Sequence, residues 1–321
     1  MRHLLLLCFL CSTLPAFSQT DMAKLSTDEE VLVYVKDIAL RQRLYWNNID
    51  FDQLAVFKER GYLPEDLAFG ETVSRTKWLL HDFNGDGKKD LLFNGRLMRF
   101  QNAVVAFIST GDTLTHTLVS GAFSIFPHSI AIVEKDGRQL LEYGQIENNP
   151  GRSWRESYMK DTLAFQLGDF MEYRPMADHA LKFDAVTYHS SSSWTGNRTP
   201  FIRIYADGRF QYTMLRIVKE KDQAVMVQDA FSAHLTTAQV EELQQVLRAA
   251  AFHTLADQYS LKNVYDLATA HTTVYFNNGG SKSITDYGME GTYGLRMLYK
   301  RILALKAAVK WELVSTSKVK Q

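Results

Sequence analysis

Trp78-Leu79-Leu80-His81-Asp82-Phe83-Asn84-Gly85-Asp86-Gly87-Lys88-Lys89-Asp90-Leu91-Leu92-Phe93 is the stretch that decides how the first half of this chain is built. Oxygen-bearing side chains stand at alternate positions, Asp82, Asn84 and Asp86. Gly87 follows, and the Asp90 carboxylate comes shortly after. A hard divalent cation takes about six to eight oxygens, and alternate positions of a tight turn can converge on one point. Two architectures could carry such a loop. An EF-hand needs a helix on each side and a bidentate glutamate at the twelfth loop position. Here that position is Phe93, and the flanks are short bulky apolar runs, so the loop is expected to join two strands.

In that setting Asp-x-Asn-x-Asp-Gly-x-x-Asp-Leu resembles the calcium loop of the FG-GAP or VCBS family. The resemblance covers about a dozen residues. It implies one Ca2+ site with Asp82, Asn84, Asp86, the Lys88 carbonyl and Asp90 as ligands, and water completing the shell. The competing reading is a hairpin that binds no ion, since Asn, Asp and Gly favour turns in any case. The pattern occurs once. Asp136-Gly137 and Asp207-Gly208 lack it and read as two-residue hairpin turns, so a full β-propeller is not expected.

Arg2 and His3 precede the apolar run Leu4 to Leu10, and Ala16-Phe17-Ser18 supplies small residues, a pattern expected of a signal peptide over residues 1–19. The run is too short to span a membrane, and no small residue precedes Cys8 or Cys11 as a lipoprotein signal requires. The sequence-based expectation is therefore a secreted or periplasmic protein. Both cysteines lie in that leader, which leaves the remainder without disulfides or thiolate metal sites. Lys+Arg 36 balance Asp+Glu 36, so no net field draws the chain to nucleic acid or to anionic membranes. No later apolar stretch approaches membrane-spanning length.

The patterns beyond the leader predict an α+β fold in two domains, each an antiparallel sheet with packed helices. The N-terminal domain is expected over 20–175. Ser26-Thr27-Asp28-Glu29 signals a helix start, a second helix covers Phe51 to Arg60, and strands follow from Thr76. Ile130 to Val133 is expected to pair with Leu140 to Tyr143 across Asp136-Gly137. Pro175 and the aperiodic stretch to Lys182 mark a boundary. The C-terminal domain, 183–313, is expected to carry strands at 185–189, 201–205, 209–215, 224–227, 272–276 and 282–285. Its helices begin near the Thr236 and Gln239 capping box and near Thr292. Residues 314–321 are expected to form a disordered tail.

Residues from about Phe183 to Trp311 also resemble a bacterial secreted domain of unknown function. The landmarks are Gly196 and Pro200, then Ile204-Tyr205-Ala206-Asp207-Gly208, Ala251-Phe252, Tyr259 and Asp266. Usual members carry Cys-Phe-Gly-x-Cys-Pro-x-Tyr before the first hairpin. This chain has Trp194-Thr195-Gly196-Asn197-Arg198-Thr199-Pro200 there, without either cysteine. The resemblance implies a fold and no function.

The sequence holds no His-Glu-x-x-His, no Gly-x-Ser-x-Gly elbow, no phosphate-binding glycine loop and no cysteine nucleophile outside the leader. The reading that follows is a non-enzymatic binding or structural module of the cell envelope. Its partner would be a protein or glycan, and Trp194 with Arg198 would form the candidate contact loop. The alternative is an envelope hydrolase whose site assembles from distant residues such as Asp266, His271 and Asp286, because catalytic triads are defined by geometry and not by order.

Overall fold

The computed structural model describes residues 22–61, 64–111, 113–121, 124–146, 153, 155–175, 182–191, 201–220, 223–260 and 266–319. The leader over 1–19 and the Trp194 and Arg198 loop lie outside the described residues. The chain divides into two compact units. One comprises residues 1–62 and 74–127, and the other residues 63–73 and 128–321.

The first unit opens with helix α1 (Asp28–Arg41). Thr27 accepts the amide of Glu30, and Glu30 reaches back to the Thr27 amide, so two otherwise orphaned donors are satisfied at once. The apolar positions at helical spacing, Val31, Tyr34, Val35 and Ile38, are buried. Helix α2 (Ala55–Arg60) starts later than the Phe51 expected from sequence and ends on Gly61 at φ 68°. Residues 51–54 instead form a turn in which the Asp50 side chain accepts the amides of Phe51 and Asp52.

Four strands follow as an antiparallel meander in spatial order: β1 (Trp78–His81), β2 (Asp90–Met98), β3 (Gln101–Thr110) and β4 (Thr113–Leu118). The α1 stripe packs on Leu91, Phe93 and Leu97 of β2 and on Ala103, Val105 and Phe107 of β3, one side of the pleat. Each Leu, Val or Phe among them stabilises the unit by roughly 1.5–3 kcal/mol on full burial.

In the second unit, β5 (Ser129–Lys135), β6 (Arg138–Ile146), β7 (Tyr158–Gln166) and β8 (Asp169–Glu172) make another meander. Ile130 faces Tyr143 and Val133 faces Leu140, the register expected across Asp136-Gly137. The larger sheet has eight strands in the order β13-β15-β14-β9-β10-β11-β12-β16. These are β9 (Phe183–Ser191), β10 (Phe201–Tyr205), β11 (Arg209–Glu220), β12 (Gln223–His234), β13 (Gln258–Ser260), β14 (Thr269–Phe276), β15 (Ser281–Tyr287) and β16 (Glu312–Lys318). The unit also holds α3 (Pro64–Val73), α4 (Thr237–Ala249) and α5 (Tyr293–Ala308).

Thr236 and Gln239 form the expected capping box on α4, and Thr292 caps α5. Leu243, Val246 and Leu247 of α4 and Leu295, Leu298, Ile302 and Leu305 of α5 share one core with Val186, Tyr188, Ile202, Ile204, Ala270, Val274 and Ile284 of the sheet. The fold is α+β, rich in strand, and among the described residues none of the three sheets closes into a barrel or propeller. Among the described residues no helix is long and apolar enough to cross a membrane.

Three expectations are corrected. The strand foreseen at 224–227 runs from Gln223 to His234 and pairs along its whole length with β11. Residues from 314 do not form a disordered tail over their described part. They belong to β16, which pairs with β12 and donates the Thr316 hydroxyl to Asp229 at 2.5 Å. The division of the chain falls after Pro127 and not near 175–183. The physical reason lies at the start of α5. Glu172 of β8 accepts the amides of Tyr293 at 2.7 Å and Gly294 at 3.0 Å, placing a carboxylate at a helix N-terminus. Lys300 of α5 pairs with Asp169 of the same strand at 2.6 Å. These contacts bind the second meander to the terminal helix.

Candidate functional site

Residues 82–89 connect β1 to β2, and His81 pairs with Asp90 at the hairpin's base. The strand flanks expected from Trp78-Leu79-Leu80 and Leu91-Leu92-Phe93 are present. Gly85 and Gly87 take φ of 75° and 84°, the left-handed region that costs glycine nothing. Their conformation turns successive backbone amides toward Asp82. Asp82 Oδ1 accepts from Gly85 at 2.8 Å and Asp86 at 3.1 Å, and its Oδ2 accepts from Gly87 at 2.8 Å. Asn84 Oδ1 also accepts the Asp86 amide, at 3.1 Å, while Asn84 Nδ2 donates to the Ser109 carbonyl at 2.6 Å. Asp86 Oδ1 accepts from Lys88 at 2.9 Å.

Asp90 anchors the turn from below. It is fully buried, with Oδ2 accepting the Phe83 amide and Oδ1 the Ser109 amide, each at 2.9 Å. Burial raises its carboxyl above the usual carboxylate range. The amides of Ser109 and Phe83 oppose that rise, and the neighbouring Asp86 adds to it. The role of Ser109, on β3, was not readable from the loop motif, because the residue is distant in sequence and contributes only backbone groups. His81 stays a strand residue, its ring edge-on to Phe83 at 5.0 Å.

The donor chemistry of Asp82, Asn84, Asp86, the Lys88 carbonyl and Asp90 is all oxygen and suits calcium. A cation there would offset the charge of ionised Asp90, whose oxygens accept amides and whose ionisation the neighbouring Asp86 disfavours. The carboxylates are, however, turned onto loop amides. Among the described residues no three Asp, Glu, His or Cys side chains gather closely enough to hold an ion. Binding therefore requires Asp82, Asp86 and Asp90 to close on the ion.

The residues of the hydrolase alternative are not brought together. His271 and Asp286 sit on paired neighbouring strands, with Ala270 opposite Asp286 and His271 opposite Thr285. Side chains alternate across a sheet, so Asp286 faces the helices with Ala270 while His271 faces the other way. Asp266 precedes β14, its backbone at φ 60°.

A buried polar cluster that the sequence did not announce surrounds Asp286. Its Oδ2 accepts the Tyr299 hydroxyl and the Gly291 amide, both at 3.1 Å. Asp286 Oδ1 is buried without a hydrogen-bond partner among the described residues, and the buried Tyr188 and Thr272 side chains stand on the same face of the sheet. Burial pushes the Asp286 carboxyl up and the Tyr299 hydroxyl far up, the latter helped by the adjacent Asp286. Tyr299 stacks obliquely on Tyr188 at 5.6 Å, and Tyr293 and Tyr299 are both buried.

The profile of a domain of unknown function (DUF6438) matches residues 201–306, which spans β10 to most of α5 and includes Asp286 and Tyr299. No curated protein matches the chain. No solved structure matches it either.

Proposed function

We propose that this chain is an exported, non-enzymatic binding or structural module whose Asp82–Asp90 hairpin takes one calcium ion. The supporting observation is Asp90, a fully buried carboxylate under a turn that presents Asp82, Asn84 and Asp86 at alternate positions. When bound, calcium would supply the positive charge that this carboxylate lacks. Asp82, Asn84, Asp86, the Lys88 carbonyl and Asp90 would hold it, and the two strands of the hairpin would be pinned at their base. The expected partner is a protein or glycan of the cell envelope, with Trp194 and Arg198 as its contact residues. The hydrolase alternative loses support from the opposite facing of His271 and Asp286.

Thermal unfolding in calcium and in chelator tests the metal. At about a hundred times the dissociation constant, calcium is expected to add roughly 2.7 kcal/mol to the stability of the hairpin's unit. Asp86→Ala is expected to abolish the gain, and His81→Ala to preserve it. Equal melting temperatures for the wild type in both conditions would reduce the loop to a turn.

A further inference from the structure

On the face of the eight-stranded sheet away from α4 and α5, β9 and β14 bring two histidines directly opposite each other. His271 is the cross-strand partner of His189, and their rings stack at 4.6 Å with 17° between planes. His189 is exposed and His271 is half-buried. Thr285, next along the same row on β15, lies 3.2 Å from His271 Nδ1. On the other side, Phe201 of β10 stands 6.3 Å from the His189 ring. We propose that His189 and His271 form a surface site for a divalent late transition-metal ion of the zinc or copper class, independent of the calcium loop.

The chemistry follows from the row. Imidazole is the common protein ligand for zinc and copper, and it binds through a neutral nitrogen. In the tautomer that donates Nδ1–H to Thr285 Oγ1, His271 presents its Nε2 lone pair, the arrangement by which a hydrogen-bonded partner orients a metal-ligating histidine. Directly opposed residues on antiparallel strands carry Cβ atoms about 4.5–5.5 Å apart, so both rings rise from one spot on a rigid support. Two nitrogens about 2.1 Å from one tetrahedral ion lie about 3.4 Å apart. The rings now stack with centroids 4.6 Å apart and planes 17° from parallel, so binding requires both to rotate until their lone pairs converge on one ion. Two protein ligands leave the remaining positions to water or to an oxygen or nitrogen donor from a bound molecule.

Zinc titration by calorimetry and Cu2+ electron paramagnetic resonance on the full-length, tag-free protein decide the matter. The expected result is one site per chain with two equatorial nitrogens. Its affinity should fall by about tenfold or more in His189→Ala and likewise in His271→Ala. Affinity should stay unchanged in His116→Ala, whose histidine lies in the other unit, and in Asp86→Ala, which removes a ligand of the calcium loop and not of this site. Because His189 is exposed, its variant is expected to melt at the wild-type temperature without metal. Overturning results would be no zinc or copper binding by the wild type, wild-type affinity in both histidine variants, or loss of the site in Asp86→Ala.

Discussion

Asp90, at the base of the first hairpin, and Asp286, beneath α5, are buried to 0% and 1% exposure, but their oxygens are used differently. Asp90 gives one oxygen to the amide of Phe83 and the other to the amide of Ser109. Asp286 gives both of its bonds through Oδ2, to Tyr299 and Gly291, and leaves Oδ1 without a partner among the described residues. Burial raises both carboxyls, so exposure alone does not distinguish them. Their surroundings do. Asp90 sits among oxygen donors and amides arranged by a turn, as a cation ligand would. Asp286 sits among hydroxyls that can accept or donate, as a neutral acid would.

The largest effect that bears on this contrast is expected from Asp286→Ala. The substitution leaves the buried Tyr299 hydroxyl and the partly buried Gly291 amide unpaired, at about 1–3 kcal/mol for a fully buried group. A loss of about 3 kcal/mol is expected in denaturant unfolding of the second unit. A loss near zero would mean that these donors find other acceptors and that Asp286 does not organise the cluster.

Replacing each aspartate by asparagine sharpens the comparison, because only one carboxylate oxygen becomes a donor. At Asp90 either orientation of the amide sets an NH2 against a backbone N–H, so Asp90→Asn in chelator is expected to cost about 2 kcal/mol. At Asp286 the NH2 can take the place of the unpaired Oδ1 while the remaining oxygen still accepts from Tyr299 and Gly291, and the cost is expected to stay below about 1 kcal/mol. The reverse ranking, read from the same unfolding experiment, would break the distinction between the two sites.

What the sequence made legible was local. The Thr27 and Thr236 capping boxes, the hairpin at Asp136-Gly137 and the strand flanks of the Asp82–Asp90 loop each depend on residues a few positions apart. The order of the loop's oxygen donors was legible too, but not their orientation, since their present partners are backbone amides and Ser109 on another strand. The end of the chain misled for a physical reason. Every residue of Glu312–Lys318 is exposed, so β16 carries no burial alternation and is held through β12. The boundary near Pro175 misled because a local break in pattern says nothing about a carboxylate at Glu172 capping a helix 121 residues later. The Asp286 cluster draws on β9, β14, β15 and α5 and leaves no motif. The His189–His271 pair likewise exists only once the β9–β14 register is known.

The smallest expected effect, and the most discriminating, is in pH dependence. A carboxyl raised in the folded state keeps its proton where the unfolded chain has lost it, so its contribution to stability declines as pH climbs from about 4 through the folded value. An asparagine has no such proton. In chelator, the stability of Asp286→Asn relative to the wild type is therefore expected to improve with rising pH, and that of Asp90→Asn likewise, each by no more than about 1.4 kcal/mol per pH unit. Calcium should separate them. An ion bound by ionised Asp90 lowers its folded pKa, so in calcium the wild type no longer loses stability as pH climbs above about 4, and the Asp90→Asn difference becomes flat there. The Asp286→Asn difference should keep its slope, because no cation reaches that carboxylate. If calcium leaves both slopes alone, Asp90 is a buried structural acid of the same kind as Asp286. If it flattens both, the ion acts on the protein as a whole and not through the hairpin.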